Sequence, residues 1–136
     1  MSAKHIKEAL CAVLFVSSVL VSSAVHAQSL KSLRAQEAEE SALAAEVDFT
    51  SEVCGVSISS SIDWSKSAGW PENKSLAEAC DGALSAIEAS CRSGSKPVTS
   101  FTCSGDGSGP SLSGTSLYYG ASPDGDAYSD TLAILP

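Results

Sequence analysis

The cysteines of this 136-residue chain could serve three chemical purposes. A cysteine side chain can act in redox catalysis, bind a metal ion or form a disulfide. Beyond residue 27 the chain carries Cys54, Cys80, Cys91 and Cys103. These four are separated by 25, 10 and 11 residues, and no C-x-x-C pair occurs. The spacing therefore favours two structural disulfides over a redox or metal site.

The acidic turn near the C-terminus is a second group with chemical potential. Asp124, Asp126 and Asp130 supply carboxylate oxygens, the ligands that Ca²⁺ prefers. A calcium loop of the EF-hand kind also needs oxygen ligands at later positions of the loop, where Tyr128 and Leu135 stand instead. Aspartate and glycine are also the ordinary residues of tight turns. We therefore predict a turn here and no metal site.

The pattern of possible nucleophiles and bases predicts no catalytic centre and no cofactor. Both histidines, His5 and His26, lie in the first 27 residues, so no serine or cysteine beyond them has a histidine base. The glycine-rich stretch 104–109 lacks the lysine of a phosphate-binding loop. No spacing singles out a carboxylate pair among the acidic residues. The prediction is a protein that is not an enzyme.

Aromatic rings beside small polar residues form the candidate binding surface. One of two adjacent tyrosines on a strand must face solvent, because successive strand residues point to opposite faces. Exposed aromatic rings stack on sugars or anchor partner proteins. The alternative is that Trp64 and one tyrosine fill the core while Trp70 packs over the start of a helix. The candidate contact residues are Ser57, Ser59, Ser61, Trp70, Tyr118 and Tyr119.

Residues 1–27 have the pattern of a secretory signal peptide. Two lysines precede an apolar stretch over residues 9–25, and small residues ahead of the boundary predict cleavage after Ala27. The alternative is a membrane anchor, but a spanning helix needs about 20 mainly apolar residues. This stretch is shorter and contains four serines. We expect an exported protein, periplasmic or secreted, with no stable membrane insertion after cleavage.

The charge of the exported chain restricts its partners. The first 27 residues hold two lysines and one glutamate, so the rest keeps 6 basic and 15 acidic side chains, a formal charge of −9. A protein that binds nucleic acids or anionic membranes needs a basic surface to contact their phosphates. The acidic balance therefore predicts no nucleic-acid partner.

Hydrophobic patterning predicts an exposed segment followed by one domain over residues 53–136. Residues 28–52 are rich in Ala, Glu and Ser, which favours an exposed, partly helical or disordered segment. Residues 53–64 alternate in the manner of a half-buried strand. Residues 75–92 carry a helical apolar stripe behind a capping box. Further strands are expected at 98–103, 112–121 and, as a candidate fourth strand, 127–135, with turns at 104–111 and 122–126.

This order of elements predicts an α+β fold. One helix with one apolar stripe needs one sheet face to cover it, so the expected architecture is a small two-layer sandwich. It places one helix on a three- to four-stranded sheet in the order β-α-β-β. A domain of this size buries a modest core, so we expect cross-links to contribute much of its stability.

Helix geometry selects the disulfide pairing. Cys80 and Cys91 lie eleven residues apart on the predicted helix, about 16 Å along its axis, whereas a disulfide needs Cα atoms within about 7 Å. The helix runs antiparallel to its flanking strands, so Cys54 lies level with Cys91 and Cys103 with Cys80. The predicted bridges are Cys54–Cys91 and Cys80–Cys103.

Three functional hypotheses follow. The preferred one is a non-catalytic exported binding or accessory domain of the bacterial envelope, with an unknown protein or glycan partner. The first alternative is a small hydrolase that uses paired carboxylates on sugar or cell-wall substrates. The second is a structural or stress-related envelope protein without a fixed ligand. Serine-rich strands leave a sheet edge open, so we expect a monomer or a weak dimer.

Overall fold

The computed structural model describes residues 30–95 and 98–136. The predicted signal peptide, residues 1–27, lies outside the described residues. The chain divides into two compact units, Met1–Glu37 and Ala38–Pro136. In the first unit, the described residues 30–37 are helical. The second unit begins at Ala38, ahead of the domain start expected at residue 53, and all the following observations concern it.

The second unit is an α+β fold of three helices on a four-stranded mixed sheet, which confirms the predicted fold class. Its first helix, α1, covers residues 38–54 of this unit. The elements after it are β1 (Ser59–Ile62), α2 (Leu76–Arg92), β2 (Ser100–Ser104), β3 (Gly109–Ser113), β4 (Ser116–Gly120) and α3 (Ala127–Ile134).

The sheet has the strand order β1-β2-β4-β3. β1, β2 and β4 are parallel, and β3 is antiparallel to β4. α2 connects β1 to β2 and packs on one face of the sheet, as the predicted β-α-β unit requires. The carboxyl ends of the three parallel strands therefore meet at one end of the sheet.

Helix α2 forms where its caps and its apolar stripe predict it. Ser75 is the N-cap, and its Oγ accepts a hydrogen bond from the Glu78 backbone N–H at 3.2 Å. Gly94 adopts a φ of 97°, which lets the chain turn away at the C-terminal end. The buried face of α2 includes Leu76, Leu84 and Ile87, and burial of these side chains holds the helix on the sheet.

Both predicted disulfides are present. Cys54 bonds to Cys91 across the C-terminal ends of α1 and α2, with a Cα–Cα distance of 5.0 Å. Cys80 bonds to Cys103 between α2 and β2, with a Cα–Cα distance of 6.1 Å. The pairing is confirmed, although Cys54 lies in the last turn of α1 and not on the strand expected over residues 53–64.

The segment expected to be exposed over residues 28–52 differs most from expectation. In α1, Leu43, Val47 and Thr50 are each 1% exposed and lie against the core. With Cys54 they recur every three or four residues, the spacing of one helix face. Residues 38–54 are therefore a core helix, whose narrow stripe is sufficient because a disulfide fixes its last turn.

The strand expected over residues 53–64 is shorter than predicted. Residues 53 and 54 still belong to α1, which ends at Gly55 with a φ of 67°. Only Ser59–Ile62 pairs with β2. The period of two along residues 53–58 belongs to a helix end and a loop, because a left-handed glycine resets the chain direction there.

Two further expectations are wrong at the C-terminal end. The single strand expected at 112–121 is a hairpin of β3 and β4 around a turn at Gly114, whose φ is 59°. The candidate fourth strand at 127–135 is the helix α3. Its N-cap is Asp126, whose Oδ1 accepts a hydrogen bond from the Ser129 N–H at 3.1 Å.

A close contact positions α3 on α2. A Cβ at Gly82 would lie 2.9 Å from the Ala127 Cβ and 3.0 Å from the Tyr128 backbone nitrogen. The glycine costs about 1 kcal/mol of helix propensity relative to alanine. It is needed because only a residue without a Cβ lets the first turn of α3 come this near.

Candidate functional site

The face of the sheet opposite α2 carries polar side chains in register. Phe101, Cys103, Leu117 and Tyr119 point to the helix side and are buried, so the residues between them point the other way. The pairing of the strands aligns these residues in two rows, which we call the open face. The first row is Ser59, Ser100, Ser116 and Ser113, and the second row is Ser61, Thr102, Tyr118 and Ser111.

The open face is an array of neutral hydroxyl groups. Seven of its eight residues are Ser or Thr and the eighth is Tyr118, although the whole chain has a formal charge of −8. Its members are exposed or half-buried, and none is buried. Neighbouring strands lie about 4.8 Å apart, and successive residues on one face about 6.7 Å apart along a strand. The hydroxyls therefore form a regular array of neutral groups.

Hydroxyls on neighbouring strands bond to one another. Ser100 Oγ donates to Ser116 Oγ at 2.8 Å. Ser61 Oγ and Thr102 Oγ1 lie 3.4 Å apart. Each hydroxyl has one donor and two acceptor sites, so one such bond leaves capacity for a ligand. The bonds orient the array without saturating it.

Tyr118 is the aromatic ring of the open face, and Asp106 holds its hydroxyl. Tyr118 OH donates to Asp106 Oδ2 at 2.6 Å. Asp106 Oδ1 accepts from Ser108 N–H at 2.9 Å and from Ser108 Oγ at 2.7 Å. Ser104 Oγ also bonds to Tyr118 OH. The β2–β3 loop is thereby tied to β4, and the ring is held in one position.

The pKa shifts of Asp106 and Tyr118 indicate that their hydrogen bond has a structural role. Hydrogen bonds from Tyr118 and then from Ser108 lower the pKa of Asp106 to about 2. Burial, followed by the hydrogen bond to Asp106, raises the pKa of Tyr118. At neutral pH the carboxylate is ionised and the phenol is protonated. A carboxylate this acidic is a weak general base, so the arrangement fixes the ring rather than moving protons.

One side of the Tyr118 ring carries a cation. The Lys66 ammonium nitrogen lies 5.0 Å from the ring centroid, within cation–π range. Lys66 belongs to a short 3-10 turn, Trp64–Lys66, which follows β1. A planar ligand that stacks on Tyr118 therefore has the other side of the ring, or the ring edge, to contact.

The structure separates the predicted site residues into two groups. Ser59, Ser61 and Tyr118 lie together on the open face, and Ser57 is exposed in the loop before β1. Tyr119 is 2% exposed on the helix side of the sheet. One of the two adjacent tyrosines faces solvent as expected. The other is a core residue, so its place in the candidate surface is corrected.

Trp70 is half-buried and packs against the β2–β3 loop. A Cβ at Gly105 would lie 2.9 Å from the Trp70 Cβ, so the indole covers the β2–β3 loop. Its Nε1–H donates to the Lys74 carbonyl at 2.9 Å. Trp70 also lines a cleft of about 410 Å³ near the start of α2. This matches the alternative expectation that Trp70 packs over the helix start.

The acidic turn has a local structural role. Asp126 caps α3, and its hydrogen bonds to Ser129 lower its pKa. Asp124 lies in the exposed turn before it and Asp130 in the first turn of α3. Across residues 30–95 and 98–136, no group of three or more acidic, histidine or cysteine side chains has an arrangement that holds a metal ion.

Two glutamates that sequence analysis passed over hold α1 in place. Glu39 Oε2 accepts from the Ala77 N–H at 2.8 Å and from Ser75 Oγ at 3.0 Å, at the N-terminus of α2. Glu40 Oε1 accepts from the Trp64 indole N–H at 2.8 Å. Both belong to a run of acidic residues, and only the tertiary fold shows which of them meet donors.

The acidic side chains that approach one another lie between α1 and α2. Repulsion from Asp81, then partial burial, then the hydrogen bond with Asp81 raise the pKa of Glu46. Burial is the main cause that raises the pKa of Glu88, while Arg92 opposes it. Glu46 is exposed on the helix surface. The group does not line the cleft beside Trp70, whose walls are other residues.

We expect Glu46→Gln to stabilise the protein at neutral pH. A carboxyl whose pKa is raised on folding destabilises the fold at pH values above its folded pKa, and this cost disappears as the pH falls below its unfolded pKa. The gain should be about 0.2–1 kcal/mol, the range for exposed charge pairs. Urea unfolding at pH 7 and at pH 4 measures it, and the gain should vanish at pH 4.

Glu52→Gln is the matched control for this charge change. Glu52 is exposed on the same helix, and its side chain is chemically identical to that of Glu46. The control should change the unfolding free energy by less than Glu46→Gln at pH 7. An equal gain from the two variants, or a gain from Glu46→Gln that persists at pH 4, would contradict repulsion from Asp81 as the cause.

No protein-family model, curated protein or solved structure matches this chain. The fold and the site therefore define its class: a small α+β domain, stapled by two disulfides, with one sheet face covered by helices and the other presenting hydroxyls. No helix among the described residues has the length and apolar character needed to cross a membrane.

Proposed function

We propose that this protein is an exported, non-catalytic binding module whose open face contacts a neutral glycan. The observation that carries the proposal is the array itself, in which seven Ser or Thr residues and one fixed tyrosine form two uncharged rows. Sugars are recognised by hydrogen bonds to their hydroxyls together with stacking on aromatic rings. The open face offers both.

Charge supports a neutral ligand over other classes. None of the eight residues of the open face is charged, the Asp106 carboxylate and the Lys66 ammonium beside Tyr118 have opposite signs, and the chain as a whole has a formal charge of −8. Anionic ligands such as nucleic acids are repelled by this field. A protein partner bound at a typical interface would be expected to meet a more aromatic and apolar centre than serine hydroxyls supply.

Two features support export and binding over catalysis. Disulfides persist in oxidising compartments, which agrees with the leader expected in residues 1–27 and with a periplasmic or secreted protein. A hydrolase needs two acids that converge in a cleft. The acids that do approach each other, Glu46 and Asp81, lie on helix surfaces, and Asp106 on the open side is held ionised by its hydrogen bonds.

Retention on insoluble polysaccharides tests the proposal. The oxidised protein is incubated with cellulose, chitin and a neutral glucan, and the bound fraction is measured at low and high salt. We expect retention on at least one of them, with little dependence on salt because the ligand carries no charge. Thr102→Glu, which places a carboxylate in the central strand of the array, should weaken binding tenfold or more, or about 1.4 kcal/mol.

Ser41→Glu is the control for this variant. Ser41 is exposed on α1 and belongs to neither row, so the added charge should leave retention unchanged. Near-ultraviolet circular dichroism verifies that both variants are folded. Retention on no neutral polysaccharide would overturn the proposal and favour a structural role. Equal losses from Thr102→Glu and Ser41→Glu would remove the open face as the contact surface.

A further inference from the structure

The strand β1 is an edge of the sheet, and half of its backbone faces outward. In the described sheet β1 is hydrogen-bonded to β2. Ser59 N–H donates to the Thr99 carbonyl at 3.0 Å, and Asp63 N–H donates to the Cys103 carbonyl at 2.9 Å. Alternate residues of a strand direct their N–H and C=O groups to opposite sides. Ser60 and Ile62 therefore direct theirs to the outer edge.

A cleft adjoins this outer edge. It has a volume of about 380 Å³ and lies between α1 and β1. One wall is Glu40, Leu43 and Ala44 of α1, and the other is residues 60–62 of β1. The cleft gives an extended segment space beside the outward backbone groups and an apolar surface against which to place a small side chain.

The two edges of the sheet differ in how they are protected. The opposite edge, β3, contains Gly109 and Pro110, and proline removes a donor and disfavours pairing with a further strand. β1 has the sequence Ser-Ser-Ser-Ile and carries neither a proline nor a lysine, which are common protections of natural edge strands. The edge of β1 is thus the one suited to receive a strand.

The charges near the cleft select its occupant. Glu40 lines it, and Asp63 follows directly after β1. No basic residue lines the cleft. An added segment is therefore favoured by lysine or arginine near the Glu40 end and by a small apolar side chain against Ala44. Strand addition of this kind takes its affinity from main-chain hydrogen bonds and its specificity from alternate side chains.

We propose that the edge of β1 binds an extended basic segment of a partner protein, which adds to the sheet as a fifth strand in the cleft beside α1. This site uses backbone groups at the sheet edge and side chains of α1, whereas the glycan surface uses side chains of the open face, and Ser61 alone borders both. The two proposals can therefore fail separately. A strand of four residues offers few main-chain bonds, so the complex should be weak and dissociate quickly.

The test uses a synthetic ten-residue peptide of alternating valine and lysine as the probe. Nitrogen-15 NMR spectra of the oxidised protein are recorded during titration, and amide hydrogen exchange is followed at saturation. We expect the Ser60 and Ile62 amide signals to shift and their exchange to slow at least tenfold. The same peptide methylated at every backbone nitrogen keeps the charge but loses all its backbone donors, and it should not produce these changes.

Paired variants of α1 separate the cleft from general charge attraction. Ala44→Lys places a like charge in the path of the basic peptide, whereas Ala45→Lys adds the same charge at an exposed neighbouring position that does not line the cleft. Ala44→Lys should weaken binding at least tenfold more than Ala45→Lys. The polysaccharide retention of both variants should stay unchanged, which keeps this test independent of the glycan proposal.

Three outcomes would overturn the inference. Equal binding of the methylated and unmethylated peptides would show attraction by charge alone. Binding without a change at Ser60 and Ile62 would place the peptide elsewhere. Shifts at these two amides that depend on protein concentration without peptide would show that a second copy of this chain, rather than a basic partner segment, occupies the edge.

Discussion

Replacing both cysteines of the Cys80–Cys103 bridge by alanine is expected to remove a large part of the stability of this domain. Both residues are fully buried, and the bridge ties the middle of α2 to β2. Loss of a native disulfide from a small secreted domain costs about 2–5 kcal/mol. Since whole domains are stable by only about 5–15 kcal/mol, the variant should be partly unfolded near body temperature.

The comparison with the other bridge decides which physical effect dominates. The cysteines are 37 residues apart in Cys54–Cys91 and 23 in Cys80–Cys103. By loop-closure entropy alone the longer loop should stabilise more, by about 0.4 kcal/mol. Two truncations in the fully buried core cost more than this difference, because they leave cavities. The Cys80–Cys103 variant should therefore be the less stable of the two.

Urea unfolding of the two double-alanine variants measures this order. The Cys54→Ala/Cys91→Ala variant is the matched control, since it removes the same atoms from a bridge in which Cys54 is 6% exposed and Cys91 is half-buried. The Cys80→Ala/Cys103→Ala variant should have the lower unfolding midpoint, with circular dichroism reporting the loss of structure. A lower midpoint for the Cys54–Cys91 variant would show that loop entropy outweighs core packing here.

The parts of the fold that could be predicted are those whose signals are local. α2 has a capping serine, an apolar stripe and a terminal glycine, and its rigid geometry then determines which cysteines can meet. The pairing followed because Cys80 and Cys91 are too far apart along one helix. The alternation of Ser59 and Ser61 with apolar neighbours likewise predicted a solvent-facing strand side.

The parts that could not be predicted depend on tertiary context. Thr50 completes the buried face of α1 through a hydroxyl bonded to the Glu46 carbonyl at 3.0 Å, so its burial has no hydrophobic signal. β3 contains Gly109 and Pro110, which are typical of loops and tolerated only because β3 is an edge. α3 has an N-cap at Asp126, but its eight residues carry no clear apolar stripe that would distinguish a helix from a strand.

Only part of the candidate site could be predicted from the sequence, because the rest depends on tertiary context. Tyr118 and the serines of β1 are exposed by simple alternation, but the rows arise from strand register. Ser59 and Ser113 lie at the two edges of one row although they are 54 positions apart, since β4 lies between β2 and β3. The Asp106 bond to Tyr118 requires the β2–β3 loop to fold over β4. No periodicity in the sequence reports that contact.

Gly120→Ala is expected to disrupt this contact and to destabilise the domain by about 1–3 kcal/mol, as overpacking of a tight site does. Gly120 is buried at the end of β4, under the β2–β3 loop. A Cβ there would lie 2.9 Å from the Ser108 backbone nitrogen and would enter the space of the Asp106 carboxylate. The loop must then move, and Tyr118 loses the hydrogen bond that holds its ring.

Two further variants identify the cause of this loss. Gly69→Ala is the matched control, since a Cβ at Gly69 meets no atom within 4 Å, and it should change the unfolding free energy by less than about 0.5 kcal/mol. Asp106→Ala removes the bond without adding an atom at Gly120. Asp106 is exposed, so this variant should cost less than Gly120→Ala. Urea unfolding ranks the three variants.

The double variant Gly120→Ala/Asp106→Ala then separates a clash with the carboxylate from a clash with the loop backbone. If the carboxylate is the obstacle, its removal gives the new methyl group room, and the double variant should be more stable than Gly120→Ala alone. If the Ser108 backbone is the obstacle, the losses should add. A Gly120→Ala protein as stable as Gly69→Ala would contradict the close approach itself. Because the loop also holds Tyr118, a destabilised Gly120→Ala protein should bind polysaccharide less well than Gly69→Ala does.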